Sequence, residues 1–262
     1  MRVHVVSDVH GNVEALKRAG DGADALVVLG DLVDFVDYHD HGGGIFGRIF
    51  GPELVGEFAR LRRDGRPGEA GAYARTLWSG LADARERVRE AVREQYEALF
   101  AALPAPTYAT PGNVDLPEMW PDFARAGVQV IDGGVVEIGG LRFGFVGGAV
   151  LPAGLTPSRA GVFSAYLRAP EEYDAAVAAL EPVDVLCSHA PPDLAELTYD
   201  AVARRAEIGS AGLVAKILAD RPRWALYGHV HQPLCPRMRF AGTECANVGH
   251  FKRTETPYVL RW

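Results

Sequence analysis

A chain of 262 residues, 48% of them hydrophobic, can bury a sizeable core as one large α/β domain or two small ones. A net charge of -7 excludes a general nucleic-acid binder, whose footprint is basic, and means that a polyanionic substrate needs local positive charge at its site. Three cysteines (Cys187, Cys235, Cys245) with no CxxC exclude a disulfide framework, and no apolar run is long enough to span a membrane; a cytoplasmic protein is expected.

In chain order, VHVVS (3–7) and ALVVLG (25–30) are β-branched apolar runs flanking a short helical segment, NVEALKRAG. A strand–helix–strand unit implies parallel pairing. Residues 39–103 depart from this pattern. DYHDHGGG (37–44) reads as a flexible glycine-rich loop, followed by a helix near 52–63 and a polar break, RRDGRPGEAG. A long helix is predicted over about 73–103, where Leu77, Leu81, Val88, Val92, Leu99 and Leu103 line one face. Arg85, Glu86, Arg89, Glu90, Arg93 and Glu94 line the other as a solvated face of i,i+4 pairs. The segment is expected to be a helical insertion by the strand ends, acting as a lid, a docking surface or bulk. Residues 39–70 are its candidate mobile wall.

Further strands are predicted at 107–110, 128–132, 135–139, 141–148, 183–189, 224–229, 244–249 and 258–262, with Gly139-Gly140 as a hairpin turn. Helices are predicted near 171–181, 195–207 and 210–220. With no internal repeat or linker, residues 1–262 read as a single domain.

Five of these strands end in polar side chains: SDVHGN, LGDLVD, TPGNVD, CSHAPP and YGHVH. A lone Asp after a strand usually caps a helix or makes a turn, and a lone His is usually just hydrogen-bonded. Five such sites in succession are different, because open parallel sheets bind ligands at the carboxyl ends of their strands. Asp8, His10, Asp31, Asn113, His189, His229 and His231 are therefore expected to converge on one crevice. Two carboxylates, four imidazoles and an amide oxygen suit Zn, Mn, Fe or Ni rather than Ca. Seven ligands are too many for one small ion and well suited to two.

The ordered set SDVHGN, GD, GN, SHAPP, GHVH resembles the calcineurin-like metallophosphoesterase superfamily, from Asp8 to His231. The resemblance implies a four-layer α/β/β/α sandwich with two divalent transition-metal ions. It implies that Asp8, His10, Asp31 and His231 hold one ion. Asp31 bridges to a second, completed by Asn113, His189 and His229. Such a pair shares a hydroxide nucleophile and binds phosphate oxygens, so a phosphoester hydrolase is expected.

The third motif often reads GNHD or GNHE in this family, with a His beside the scissile phosphate. Here it is GNVD, and Val114 can neither donate a proton nor carry charge. A compact microbial phosphodiesterase subgroup resembles this chain in lacking that His. A diester with a good leaving group depends less on protonation of the departing oxygen, so a phosphodiesterase acting on a small phosphoester is favoured. The alternatives are a phosphomonoesterase, a nucleotide pyrophosphatase, a phosphoprotein phosphatase or, farther away, a metal-binding interaction scaffold. Candidate substrate contacts are Asn12, Asn113, His39, His41 and His250. Asp115 is expected either to orient a residue at 114 or to cap the turn into LPEMW.

Overall fold

The computed structural model describes residues 1–152 and 161–262. The first apolar runs become β1 (Arg2–Val6) and β2 (Ala25–Val28), joined by helix α1 (Val13–Leu16) and paired in parallel. Next come β3 (Thr107–Ala109) and β4 (Val128–Val130), then the antiparallel hairpin β5 (Gly134–Ile138) and β6 (Leu141–Val146). A short parallel pair follows, β7 (Ala149–Val150) and β8 (Leu167–Arg168). The rest are β9 (Val185–Ser188), the two-residue strands β10 (Tyr199–Asp200) and β11 (Arg205–Ala206), β12 (Trp224–Tyr227), β13 (Arg237–Phe240), β14 (Thr243–Asn247) and β15 (Tyr258–Arg261). One sheet runs β15-β1-β2-β3-β4 and the other β13-β14-β12-β9-β6-β5.

Side chains alternate across each strand with period two, and this sorts them into layers. Val3, Val5, Val27 and Leu29 face Phe143, Phe145, Val185 and Leu226 in a core between the sheets. Their neighbours Val6, Leu26 and Val28 face outward against Leu16, Val88, Val92, Tyr96 and Leu99. On the second sheet Leu186, Ala225 and Tyr227 meet Tyr173, Val177, Leu213 and Ile217. The result is an α/β/β/α sandwich, as expected.

Between β2 and β3 lie α2 (Gly44–Phe50), α3 (Pro52–Arg63), α4 (Pro67–Ser79) and α5 (Ala84–Ala102). The long helix expected over 73–103 is therefore two. The chain breaks after Gly80, and Asp83 takes a left-handed backbone at φ 55° before α5. The apolar spacing carries on across the break through Leu77 and Leu81, so periodicity alone does not reveal it. Helix α5 buries Val88, Val92, Tyr96, Leu99 and Phe100 against the first sheet and so supplies its outer layer. Helices α2 to α4 gather around an aromatic group, with Phe46 ringed by Phe50, Phe58 and Trp78.

The glycine-rich loop before α2 is laced by hydrogen bonds. Asp37 accepts from the backbone of His39 and Asp40, and Asp40 from that of Gly42. Gln95 of α5 grips both the N–H and the carbonyl of Asp34.

On the second sheet's outer side are α6 (Pro170–Ala179), α7 (Ala195–Thr198) and α8 (Ala211–Asp220), with α9 (Phe251–Thr254) following β14. The helix expected over 195–207 stops at Thr198. There Asp200 accepts from the N–H groups of Val202 and Ala203, which turns the chain into β11.

Candidate metal centre

The residues that follow β1, β2, β3, β9 and β12 meet between the two sheets' carboxyl edges. Close backbone approach makes this possible. A Cβ on Gly30 would fall on the backbone of Gly112, and one on Gly112 would fall on Asp31. Only glycine lets the second and third loops touch.

His10 donates Nδ1–H to the carbonyl of Val33 at 3.1 Å, which leaves Nε2 as a bare lone pair. That lone pair faces His231 Nε2 at 3.3 Å and lies 3.9 Å from both Asp8 Oδ1 and Asp31 Oδ2. His231 Nε2 is 3.2 Å from Asp8 Oδ1. On the other side of Asp31, His189 donates Nδ1–H to Leu29 O at 2.7 Å. Its Nε2 then faces Asp31 Oδ2 at 3.4 Å and Asn113 Oδ1 at 2.9 Å. The same Asn113 oxygen is 2.7 Å from His229 Nδ1.

Lone pairs aimed at lone pairs repel. Cations among these lone pairs would reconcile them: the ligand atoms of Asp8, Asp31 and His189 lie within 4.8 Å of one another, as do those of His10, His231 and His250, and such donors fit divalent metal ions. Without metal, a proton fills part of this role. Burial pushes His189 down, but the charge and hydrogen bond of Asp31 outweigh it and raise the imidazole to about 9. Burial and the charge of His189 push His229 down to about 4. Burial alone would raise Asp8; the hydrogen bond and charge of His231, with His189 and His10, hold it well below the carboxylate range.

The backbone carries a second mark. Asp8, His10, Asp31 and His229 all have positive φ, at 56°, 40°, 53° and 69°. Such left-handed positions are sparsely populated by residues other than glycine and cost on the order of 1–3 kcal/mol each. Four of the seven expected ligands are held this way.

The remaining expected contacts are spread out. Asn12 caps α1 through Ala15 N–H and gives its amide hydrogens to Lys252 O and Glu255. His39 is exposed on its loop, and His41 lies over Gly56 of α3. His250 is brought in: its ring stacks on His231 at 3.9 Å and meets His10 edge-on at 5.7 Å.

Asp115 neither orients a neighbour nor caps the next turn. Fully buried, it accepts from the N–H groups of Leu32, Val33 and Gly112 and from the Tyr96 hydroxyl. It thereby ties the loop of Asp31 to the loop of Asn113 and both to α5. Burial and the charge of Asp31 raise it to about 6. Sequence reasoning also missed Lys252, which bonds Asp34 at 2.9 Å and Asp37 at 2.6 Å beside the crevice.

No curated protein matches the chain. Among the solved structures that share its fold are two crystal structures. One is 17% identical over 95% of this chain and 91% of its own, with a TM-score of 0.60. The other, TT1561 of Thermus thermophilus, is 14% identical over 98% and 97%, with a TM-score of 0.53. The family model for calcineurin-like phosphoesterases matches residues 1–233. The chain belongs to the calcineurin-like phosphoesterase family, the metal-dependent hydrolases of phosphoesters.

Proposed function

We propose that the chain is a phosphodiesterase that acts on small phosphoesters with two divalent transition-metal ions, drawn from Mn, Fe, Zn or Ni. The observation that carries this reading is the pair of lone-pair clusters sharing Asp31, each with imidazole nitrogens already oriented by backbone carbonyls. Asp8, His10, Asp31 and His231 would hold one ion and Asp31, Asn113, His189 and His229 the other; when bound, the ions would supply a water of lowered pKa and neutralise phosphoryl oxygens. Asp31 is the catalytic residue, because its Oδ2 lies 3.9 Å from His10 Nε2 in one cluster and 3.4 Å from His189 Nε2 in the other, and Val114 N–H fixes its Oδ1 at 2.9 Å.

The preference for diesters rests on Val114. Its backbone N–H serves Asp31, and its side chain carries methyl groups with neither donor nor charge. A monoester, with its extra negative charge, gains more from a cationic donor there than an activated diester does. The site draws on loops of both sheets, which supports treating the chain as one domain.

The test pairs metal analysis with a matched panel of chromogenic mono- and diesters. Close to two ions per chain and a higher kcat/KM on diesters are expected. Saturation at one ion, or faster turnover of monoesters, would contradict the reading.

A further inference from the structure

We infer that His250 is a substrate-binding residue, its ring N–H donating to a non-bridging oxygen of the phosphoryl group. The inference rests on the phosphoesterase reading of the same site.

His250 is only 8% exposed, yet neither ring nitrogen has a hydrogen-bond partner. The other four imidazoles of the cluster each have at least one, in Val33, Leu29, Asn113 or Asp8. A neutral imidazole carries one donor and one acceptor. Burying either unpaired costs about 1–3 kcal/mol. The ring is nonetheless held firmly. Phe251 N–H bonds Ser7 O and Lys252 N–H bonds Asp8 O, so the segment is sewn to the end of β1. Phe251 itself is buried in the core. Ring nitrogens of His10, His231 and His250 lie within 4.8 Å of one another. The unpaired groups thus sit against the first lone-pair cluster, where an incoming oxyanion arrives.

Two features favour a ligand contact over an eighth metal ligand. The planes of His250 and His231 are only 19° apart, so the rings lie side by side and do not converge on one point. A metal-binding imidazole also usually anchors its second nitrogen on the protein, as His10 and His189 do. His250 has a partner on neither nitrogen, whereas each of the four expected ligand imidazoles has at least one. One N–H aimed at phosphate supplies a donor in a site whose position 114 provides none.

The test compares metal-loaded wild type with His250→Phe, which keeps the stack and removes both nitrogens, and His250→Asn, which returns an N–H. Inorganic phosphate binding is measured by calorimetry, metal content by elemental analysis, and KM on the best ester. Phosphate binding about tenfold weaker in His250→Phe, partly restored in His250→Asn, with two ions in all three proteins, is expected. Equal phosphate affinities, no phosphate binding by wild type, or loss of an ion in His250→Phe would each overturn the assignment. A wild type that cleaves no ester would sink the phosphoesterase reading; the phosphate titration would still judge His250.

Discussion

The outer helices α3 and α4 and the strand-end cluster are both rich in charge, and they treat it in opposite ways. On the helices, Arg60 binds Glu57 and Asp64, and Arg66 binds Glu69, all within one turn and open to water. Such pairs contribute little. At the strand ends, Asp8 and Asp31 are buried among imidazoles and against each other, both on left-handed backbone. A charge answered by its sequence neighbour is ordinary surface. A charge buried where its protein partners cannot answer it marks a site.

The sharpest way to break this contrast is Asp31→Asn, which weakens the carboxylate set between His10 and His189. Hydrolysis should fall on the order of a thousandfold, with fewer than two ions retained. A variant with full metal and most of its kcat/KM would remove Asp31 from its bridging role.

Asp115→Ala comes next. It strands four buried donors, on Leu32, Val33, Gly112 and Tyr96, and should destabilise the fold by about 3–5 kcal/mol in urea unfolding. Arg60→Ala on the outer helix should leave the urea midpoint where it is. Similar midpoints for the two variants would erase the distinction between the regions.

Acidity sharpens it further. His189 has a folded value of about 9, above its ordinary 6.5, so its protonated form stabilises the metal-free chain fully below about 6.5. That stabilisation is lost as pH rises through about 9. An entering ion must displace the same proton, so metal affinity moves the other way. It should rise by about tenfold per pH unit between about pH 7 and 9 and then level off. Calorimetric titrations of the metal-free protein across that range check the slope; a flat profile would contradict it.

The smallest change expected is from Val114→His. It should raise the monoester-to-diester ratio of kcat/KM, but by less than about tenfold, because Asp115 is already engaged by four donors and cannot orient the new ring. Wild type and variant are compared at equal metal content, and an unchanged ratio would separate Val114 from ester preference.

The sequence exposed those features that depend on residue type and short spacing. Apolar runs marked the strands that build most of both sheets, and their polar ends marked side chains that lie close together, such as Asp8 with His231 and Asn113 with His189 and His229. What it hid depends on direction or on distant backbone. Asp115 could be read in GNVD, but besides the Tyr96 hydroxyl its partners are main-chain N–H groups up to 83 positions away, which have no residue-type signature. The turn at Asp200 follows from one side chain bonding its own backbone two and three residues on. That competes with helix without disturbing the apolar pattern. His250 looked like any loop histidine, because NVGH does not say that its ring stacks on His231.

The left-handed backbones at Asp8, His10, Asp31 and His229 set heat tolerance against chemistry. Without metal, each of these positions is a liability that glycine or asparagine would relieve. Selection for thermal survival in metal-depleted medium should therefore accumulate such replacements at these four positions. The same selection in metal-rich medium should leave them untouched, because there the bound ions stabilise the fold that carries them. Sequencing the survivors of both selections would show whether this chain keeps its strained residues for the sake of the metal.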